Sequence, residues 1–200
     1  MNTILKTAQT CCLTLIFLTM LIFGAQAQDD KKDDKPSTLV KEVDHFDIYA
    51  MPMLNFYQSG DEFSYSLGSG LAMVLNRKYV FGLYNSGRSD TGNFSFSGSD
   101  YESSLRHGGL ILGYSINANK VFHVNVNTLL GWGNVRISGL EDDAIVAVTP
   151  YAELEANVTR YFRVAVGGGY RIIGNANNTF YKPESFNAPT MNISFKFGWF

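Results

Sequence analysis

Apolar and polar residues alternate with a period of two along most of the chain from His45 to the C-terminus. The alternation is regular in five segments, at 107–117, 121–133, 145–158, 161–172 and 190–199. Three earlier segments, at about 45–57, 66–75 and 79–88, follow it more loosely. Successive side chains of a β-strand point to opposite faces of a sheet, so this period is typical of strands with one apolar face. The pattern therefore predicts an all-β domain of eight strands.

The connections between these predicted strands alternate between short and long. Short polar turns lie at 76–78, 118–120 and 159–160, and longer stretches rich in Gly, Ser, Asp and Asn lie at 58–65, 89–106, 138–144 and 174–189. Within the second long stretch Phe94 and Phe96 alternate with serines, so the flanking strands could extend there as a hairpin. Membrane barrels join antiparallel strands by short periplasmic turns and longer extracellular loops. The alternation predicts an antiparallel up-and-down β-barrel with both termini on the periplasmic side.

Two closed eight-stranded architectures fit such a meander: a membrane barrel with its apolar face outside, and a soluble lipocalin-like carrier with its apolar face around a ligand. One face carries Phe, Trp, Tyr and Leu, whereas the other carries Gly, Asn, Ser and charged residues, as in a narrow hydrated lumen. Phe122 and Trp132 are ten residues apart, about 25 Å along the membrane normal, which matches the apolar band of a membrane barrel. The early Gly-x-Trp of lipocalins is missing, since Gly131-Trp132 falls in the fifth strand. We therefore expect residues 45–200 to form a transmembrane β-barrel.

Aromatic residues near the ends of the apolar face are expected to lie at the two membrane interfaces. They are Tyr79, Phe122, Trp132, Phe162, Tyr170 and Trp199. Each short turn also ends in a basic residue that leads into an aromatic or β-branched pair, as in Lys78-Tyr79-Val80 and Arg160-Tyr161-Phe162. We interpret these positions as one edge of the lipid-facing band.

Charged residues on the polar face are predicted by parity to point into the lumen. They are Asp47, Arg88, Glu153, Glu155, Arg163, Arg171 and Lys196. A hairpin centred on Thr159 would place Glu155 opposite Arg163. Because an isolated buried charge is costly, these residues must be paired or hydrated. They could form a salt-bridged plug or line a selective path for small solutes, and the narrow interior of an eight-stranded barrel favours the plug.

The first 27 residues predict a secretory signal peptide. Lys6 precedes the apolar run 12–24, and Ala25-Gln26-Ala27 is a small-x-small cleavage site. The run is short for a hydrocarbon core of about 30 Å and no stop-transfer pattern follows, so we expect cleavage after Ala27 rather than a membrane anchor. An exported barrel predicts location in the outer membrane of a Gram-negative bacterium.

Residues 28–44 differ from the rest of the chain in composition. They are dense in charges of both signs, contain Pro36 and lack aromatic residues. Such a segment cannot bury enough apolar surface to fold alone, so we expect a disordered periplasmic leader. A partner-binding tail is the functional alternative.

The cysteine and charge content narrows the possible functions. Cys11 and Cys12 lie within the predicted signal peptide, so the mature chain would have no disulfide, metal thiolate or cysteine nucleophile. This pair opens the apolar run instead of following it, which argues against a lipid anchor. The chain has 16 basic and 18 acidic residues, a balance that does not indicate nucleic-acid binding. Its mean hydropathy is near zero, which excludes a helical membrane bundle but not a barrel.

The histidines are the candidates for catalysis, because some small outer-membrane barrels modify lipids with a His–Ser pair. His123 is followed on its own face by Asn125 rather than serine, and parity turns it away from the bilayer. His107 lies beside serines in a predicted loop, and His45 begins the first strand near acidic residues. No His, Asp or Glu spacing resembles a metal site, and the glycine run 167–169 favours strand curvature over phosphate binding. We expect no catalytic residue, metal or cofactor.

The segment 45–200 resembles the small eight-stranded outer-membrane barrels, such as the outer-membrane protein A transmembrane domain and the attachment-and-invasion type. The resemblance rests on the strand pattern and on the C-terminal Lys196-Phe197-Gly198-Trp199-Phe200. It implies that Phe200 is an assembly signal for the barrel-insertion machinery, although the other aromatics, Phe195, Phe197 and Trp199, are one residue out of phase with the usual spacing.

The sequence therefore predicts a non-enzymatic envelope protein with a structural or surface-interaction role. Its expected partners are outer-membrane lipid, the insertion machinery and an extracellular partner bound through 89–106 and 174–189, where aromatic residues could anchor it. The alternative functions are a narrow channel for small solutes, a lipid-modifying enzyme and a soluble lipocalin-like carrier.

Overall fold

The structure is a computed structural model that describes residues 43–59, 62–96, 99–138, 142–174 and 186–200. The predicted signal peptide at 1–27 and nearly all of the predicted leader at 28–44 lie outside the described residues, so both stay predictions. Within the described ranges, no helix is long and apolar enough to cross a membrane.

The described residues form a closed antiparallel barrel in which each strand pairs with its neighbours in sequence and β1 pairs with β8. The strands are β1 Phe46–Ser59, β2 Glu62–Leu75, β3 Tyr79–Phe96, β4 Ser99–Ile116, β5 Phe122–Ile137, β6 Asp143–Asn157, β7 Phe162–Gly174 and β8 Ala188–Trp199. The predicted eight-stranded up-and-down barrel is thus confirmed. We call the end that carries the turns at 76–78, 117–121 and 158–161 the turn end, and the opposite end the loop end.

Two of the long loops are shorter than predicted, because the strands on either side extend into them. Residues 58–65 were predicted as a loop, but β1 reaches Ser59 and β2 begins at Glu62. The alternation continues there, since Phe63 and Tyr65 are exposed whereas Ser64 is buried. Because most residues of 58–65 are polar, the alternation was too weak to predict a strand there.

The predicted loop 89–106 is a hairpin, as the Phe–Ser alternation allowed. Pairing of β2 with β3 ends at Gly68 and Ser86, whereas β3 and β4 stay paired up to Phe96 and Ser99, with two register shifts. The flanking strands therefore account for most of this segment. Of the predicted loop 174–189, the described part shows β7 ending at Gly174 and β8 beginning at Ala188.

Alternate residues of each strand fill the barrel interior, which is not uniformly polar. One apolar cluster on β1 to β4 comprises Tyr49, Met51, Met53, Ala72, Val74, Val80, Tyr84 and Ile111. A second cluster lies toward the loop end and comprises Leu105, Val135, Ile137, Ile145, Ala147, Ile173 and Phe186. The prediction of a polar inner face is therefore wrong on β1 to β4 and near the loop end, because apolar side chains fill the lumen there.

Candidate functional site: the barrel lumen

The charged side chains with the most contacts inside the barrel lie at the turn end. The Lys196 ammonium group on β8 contacts the carboxylates of Glu153 and Glu155 on β6. Arg163 at the start of β7 donates from Nη1 to Glu155 Oε1 over 3.0 Å. The side chains of Lys196 and both glutamates are almost completely buried. We refer to these four residues as the lumen charge cluster.

Two polar residues of β5 also contact the lumen charge cluster. Asn125 Nδ2 donates to Glu153 Oε1 over 3.0 Å and to Glu155 Oε2 over 2.7 Å. The Nε2 atom of His123 lies 3.1 Å from Glu155 Oε1. The two carboxylates therefore face two cations and two polar side chains from three strands, which is the compensation that a buried charge requires.

The predicted register of the β6–β7 hairpin is wrong by two residues. Arg163 pairs with Asn157, and Glu155 pairs with Ala165, so the hairpin is centred on Arg160 rather than on Thr159. Arg163 still reaches Glu155 because its long side chain spans the diagonal between neighbouring strands.

The C-terminal Phe200 packs against this cluster from the turn end. The Arg163 guanidinium lies 3.7 Å from the centre of the Phe200 ring, and the Tyr49 ring lies 5.5 Å from it. Phe195, Phe197 and Trp199 are exposed on the outer face instead. Phe200 therefore lies on the inner side of the barrel, opposite to the face of Phe195, Phe197 and Trp199. Its role as an assembly signal stays a prediction.

The other predicted lumen charges lie apart from the cluster. Asp47 is buried and its Oδ1 lies 2.8 Å from His45 Nε2. Arg171 is 1% exposed, donates to the Phe186 carbonyl over 3.2 Å and lies over the Tyr57 ring at 4.1 Å.

Arg88 is the one predicted lumen charge whose side chain lies outside the described part of the structure. It falls between Ser86 and Ser89, where the β3–β4 register shifts. Parity is not conserved across such a shift. Its inward orientation therefore stays a prediction.

A Tyr–His pair in mid-lumen was missed by the sequence analysis. The Tyr84 hydroxyl lies 3.0 Å from His107 Nδ1, and both side chains are buried. His107 lies within β4, as the predicted strand 107–117 implies, and its assignment to a loop is wrong. Parity counted along β4 from Leu105 would have turned it inward. The space beside this pair is about 20 Å³, enough for the centre of roughly one water molecule.

The predicted interface aromatics lie on the outer face of the barrel. Phe122 and Trp132, on β5, are 65% and 64% exposed, and Trp199 is 70% exposed. Tyr170 is also exposed, whereas Tyr79 and Phe162 are half-buried against neighbouring rings. Because large apolar side chains cover much of this face, it requires an apolar environment.

Among the side chains that the structure describes, the buried polar groups do not form a recognisable catalytic constellation. His123 contacts Glu155, and His107 contacts Tyr84. Among the described residues, no group of three or more His, Cys, Asp or Glu side chains is arranged to hold a metal ion. The lumen geometry is that of a packed interior with paired charges.

Comparison with solved structures shows the same architecture in two bacterial proteins. Neisserial surface protein A superposes with a TM-score of 0.55 at 12% sequence identity, covering 76% of this chain and 96% of that protein. Ail, the attachment invasion locus protein of Yersinia pestis in complex with the heparin analogue sucrose octasulfate, superposes with a TM-score of 0.50 at 11% identity, covering 77% and 97%. No protein-family model and no curated protein matches the sequence significantly. The chain has the fold of the small eight-stranded outer-membrane β-barrels.

Proposed function

We propose that this chain is a non-enzymatic outer-membrane protein whose closed barrel is a rigid scaffold for a surface-interaction site at its loop end. The observation that carries the proposal is the lumen charge cluster, which occupies the turn end with buried ion pairs between β6, β7 and β8. A barrel closed in this way supplies rigidity rather than a path for solutes.

Two further observations support a closed scaffold. The second apolar cluster packs Leu105, Val135 and Ile173 toward the opposite end of the lumen. Among the described residues, the mid-lumen space admits the centre of roughly one water molecule, whereas a hydrated ion carries several waters with it. The lumen is therefore occupied at the turn end, in the middle and toward the loop end, which disfavours the narrow-channel alternative.

The apolar outer face supports placement in a membrane and disfavours the lipocalin-like alternative. A soluble carrier would turn its bulky apolar residues inward around a ligand. Here Leu67, Trp132 and Trp199 are 64% exposed or more, whereas Glu153, Glu155 and Lys196 are buried. Charges inside and apolar residues outside are the arrangement that lipid requires.

The charge of the loop end indicates which partner chemistry it favours. The segments 58–65, 89–106, 138–144 and 174–189 together contain nine acidic and two basic residues. Such a surface would repel a polyanion of the kind bound by Ail. We therefore propose a cationic surface partner for this chain.

Planar-bilayer recordings test the closed lumen. The purified wild-type barrel should give no resolved conductance, and the double variant Glu155→Ser, Lys196→Ser should also give none, because the side chains in the middle and toward the loop end still fill the lumen. Arg106→Gln, a change of an exposed residue on β4 outside the cluster, is the matched control and should stay silent. Steady ohmic current through the wild-type protein would contradict the proposal.

Binding in zwitterionic nanodiscs tests the loop end. Wild-type protein should bind fluorescent polylysine and not heparin, and a variant that shortens the β3–β4 hairpin by deleting 90–104 should bind polylysine at least several-fold more weakly. Equal binding by the two proteins, or a preference for heparin, would contradict a cationic partner at this end.

A further inference from the structure

Every short turn of the barrel carries a cation and none carries an acid. Arg77 and Lys78 lie in the β2–β3 turn, Lys120 in the β4–β5 turn and Arg160 in the β6–β7 turn. All four side chains are exposed, and among the described residues none of them forms an ion pair. The three turns thus form a cationic rim, opposite in sign to the acidic loop end; one exposed acid, Asp44, lies beside it, where its backbone N donates to Asn76 Oδ1 over 3.0 Å.

The cations are densest beside a crevice between two neighbouring turns. Residues 76–78 form one wall and 114–119 the other, around an open space of about 430 Å³. Ser115 N donates to the Lys78 carbonyl over 2.7 Å, which holds the two walls together. Amide side chains of Asn117 and Asn119 also line the space, so it offers hydrogen-bond donors and positive charge.

An aromatic pair marks the depth of this crevice in the membrane. The rings of Tyr79 and Tyr114 lie 5.6 Å apart, edge to face. Tyr79 directly follows Lys78 in the chain, and Tyr114 directly precedes Ser115. Tyrosines of this kind gather at the level of the lipid headgroups. The crevice therefore opens where headgroup phosphates lie.

The backbone at Arg77 gives an independent reason to assign a role to its side chain. Asn76 and Arg77 have φ of 52° and 56°, and Lys78 N donates to the Leu75 carbonyl over 3.0 Å, which is the geometry of a type I′ turn. Glycine is strongly preferred at the second central position, because an L side chain is strained there. An arginine at a position that favours glycine indicates that the guanidinium contributes something other than turn stability.

We propose that this crevice binds the phosphate of an anionic phospholipid in the leaflet at the turn end. Arg77 and Lys78 provide charge-assisted hydrogen bonds to the phosphate oxygens. Lys120 and Arg160 raise the concentration of anionic lipid around the rim. The inference rests on the barrel spanning a membrane and is independent of the surface partner proposed above.

The test uses nanodiscs that contain phosphatidylcholine and phosphatidylglycerol, with the lipids retained by the protein counted by native mass spectrometry. Wild type should retain a larger share of phosphatidylglycerol than the nanodisc contains. In the variant Arg77→Gly, Lys78→Gln this enrichment should fall about fivefold for each cation removed. Lys78→Arg, which keeps a cation at the same position of the crevice, is the matched control and should leave the enrichment unchanged. Equal loss in the control, or no loss in the double variant, would overturn the proposal.

The single variant Arg77→Gly separates lipid binding from folding. In pure phosphatidylcholine it should unfold at the same temperature as wild type or higher, because glycine relieves the positive φ, yet it should retain less phosphatidylglycerol. An unfolding temperature lowered in phosphatidylcholine would overturn the assignment, because Arg77 would then be stabilising the turn. Displacement of the lipid by millimolar glycerol phosphate would also overturn it, in favour of a soluble phosphoester.

Discussion

The ammonium group of Lys196 contacts the carboxylate of Glu155 across the width of β7, with both side chains 3% exposed. These residues belong to β6 and β8, which are not neighbours in the barrel wall. The ion pair therefore links the wall through the lumen, in addition to the hydrogen bonds between adjacent strands.

Replacing Lys196 with Met should destabilise the folded barrel by about 3–5 kcal/mol, because it leaves two carboxylates buried near a single remaining cation. The free energy of unfolding can be measured by urea titration in lipid vesicles, followed by tryptophan fluorescence.

The double variant Lys196→Met, Glu153→Gln is the matched comparison. Neutralising Glu153 removes the uncompensated charge while Glu155 keeps Arg163 as its partner, so most of the lost stability should return. If Lys196→Met alone unfolded within about 1 kcal/mol of wild type, the cluster would not be the element that we describe.

Phe200 is expected to stabilise the barrel directly. Phe200→Ala removes its contacts with Arg163 and Tyr49 and should cost about 1–2 kcal/mol in protein refolded from urea without any cellular machinery. Phe200→Leu keeps apolar volume but not the ring face, so its loss should be intermediate. Wild-type stability of refolded Phe200→Ala, together with poor assembly in cells, would show that the residue acts in assembly alone.

The strand pattern predicted the lumen charges of β6 to β8 because parity is strict within a regular strand. Glu153, Glu155 and Lys196 all lie on the inner face, as their positions required. The contacts between them could not be predicted in detail, because they depend on register. A hairpin centred on Thr159 would pair Arg163 with Glu155. The observed centre is one residue later, at Arg160, so Arg163 pairs directly with Asn157.

Parity cannot be counted across an irregular strand, and the assignment of a single chemistry to each face was wrong for parts of the lumen. The β3–β4 register shift next to Arg88 breaks the count along the chain. Leu105, Val135 and Ile173 lie on the inner face although they are apolar, because the loop end of the lumen is filled rather than hydrated. The Tyr84–His107 contact depends on how β3 and β4 are aligned with each other. That register cannot be read from the alternation pattern of either strand alone.

Gly131 should be intolerant of substitution, because a Cβ there would lie 2.2 Å from the Tyr84 hydroxyl. Gly131→Ala should displace Tyr84 from His107 and cost about 1–3 kcal/mol of unfolding free energy. Gly168→Ala is the matched control, since the nearest atom to its added Cβ is at 3.5 Å, and it should be neutral or slightly stabilising. The two urea titrations would contradict this packing if both variants lost the same stability.

Outside the membrane-spanning strands, Asp142 is expected to titrate below a normal aspartate. Arg136 donates to its two oxygens over 2.8 and 2.7 Å, and these hydrogen bonds lower the pKa of Asp142. A carboxyl with a lowered pKa contributes stability above its unfolded pKa and loses it as pH falls through the folded value. Carbon-13 NMR titration should therefore show the Asp142 pKa rising toward the normal value in Arg136→Gln. An unchanged titration curve would mean that the pair does not persist in solution.

The most direct test of the membrane barrel is electrophoresis of the membrane-extracted protein with and without boiling, combined with fractionation of the cell envelope. A closed barrel should migrate faster before boiling than after it, and the protein should fractionate with the outer membrane. Identical migration, with the protein free in the periplasm, would contradict the account and would favour a soluble carrier with the same eight strands.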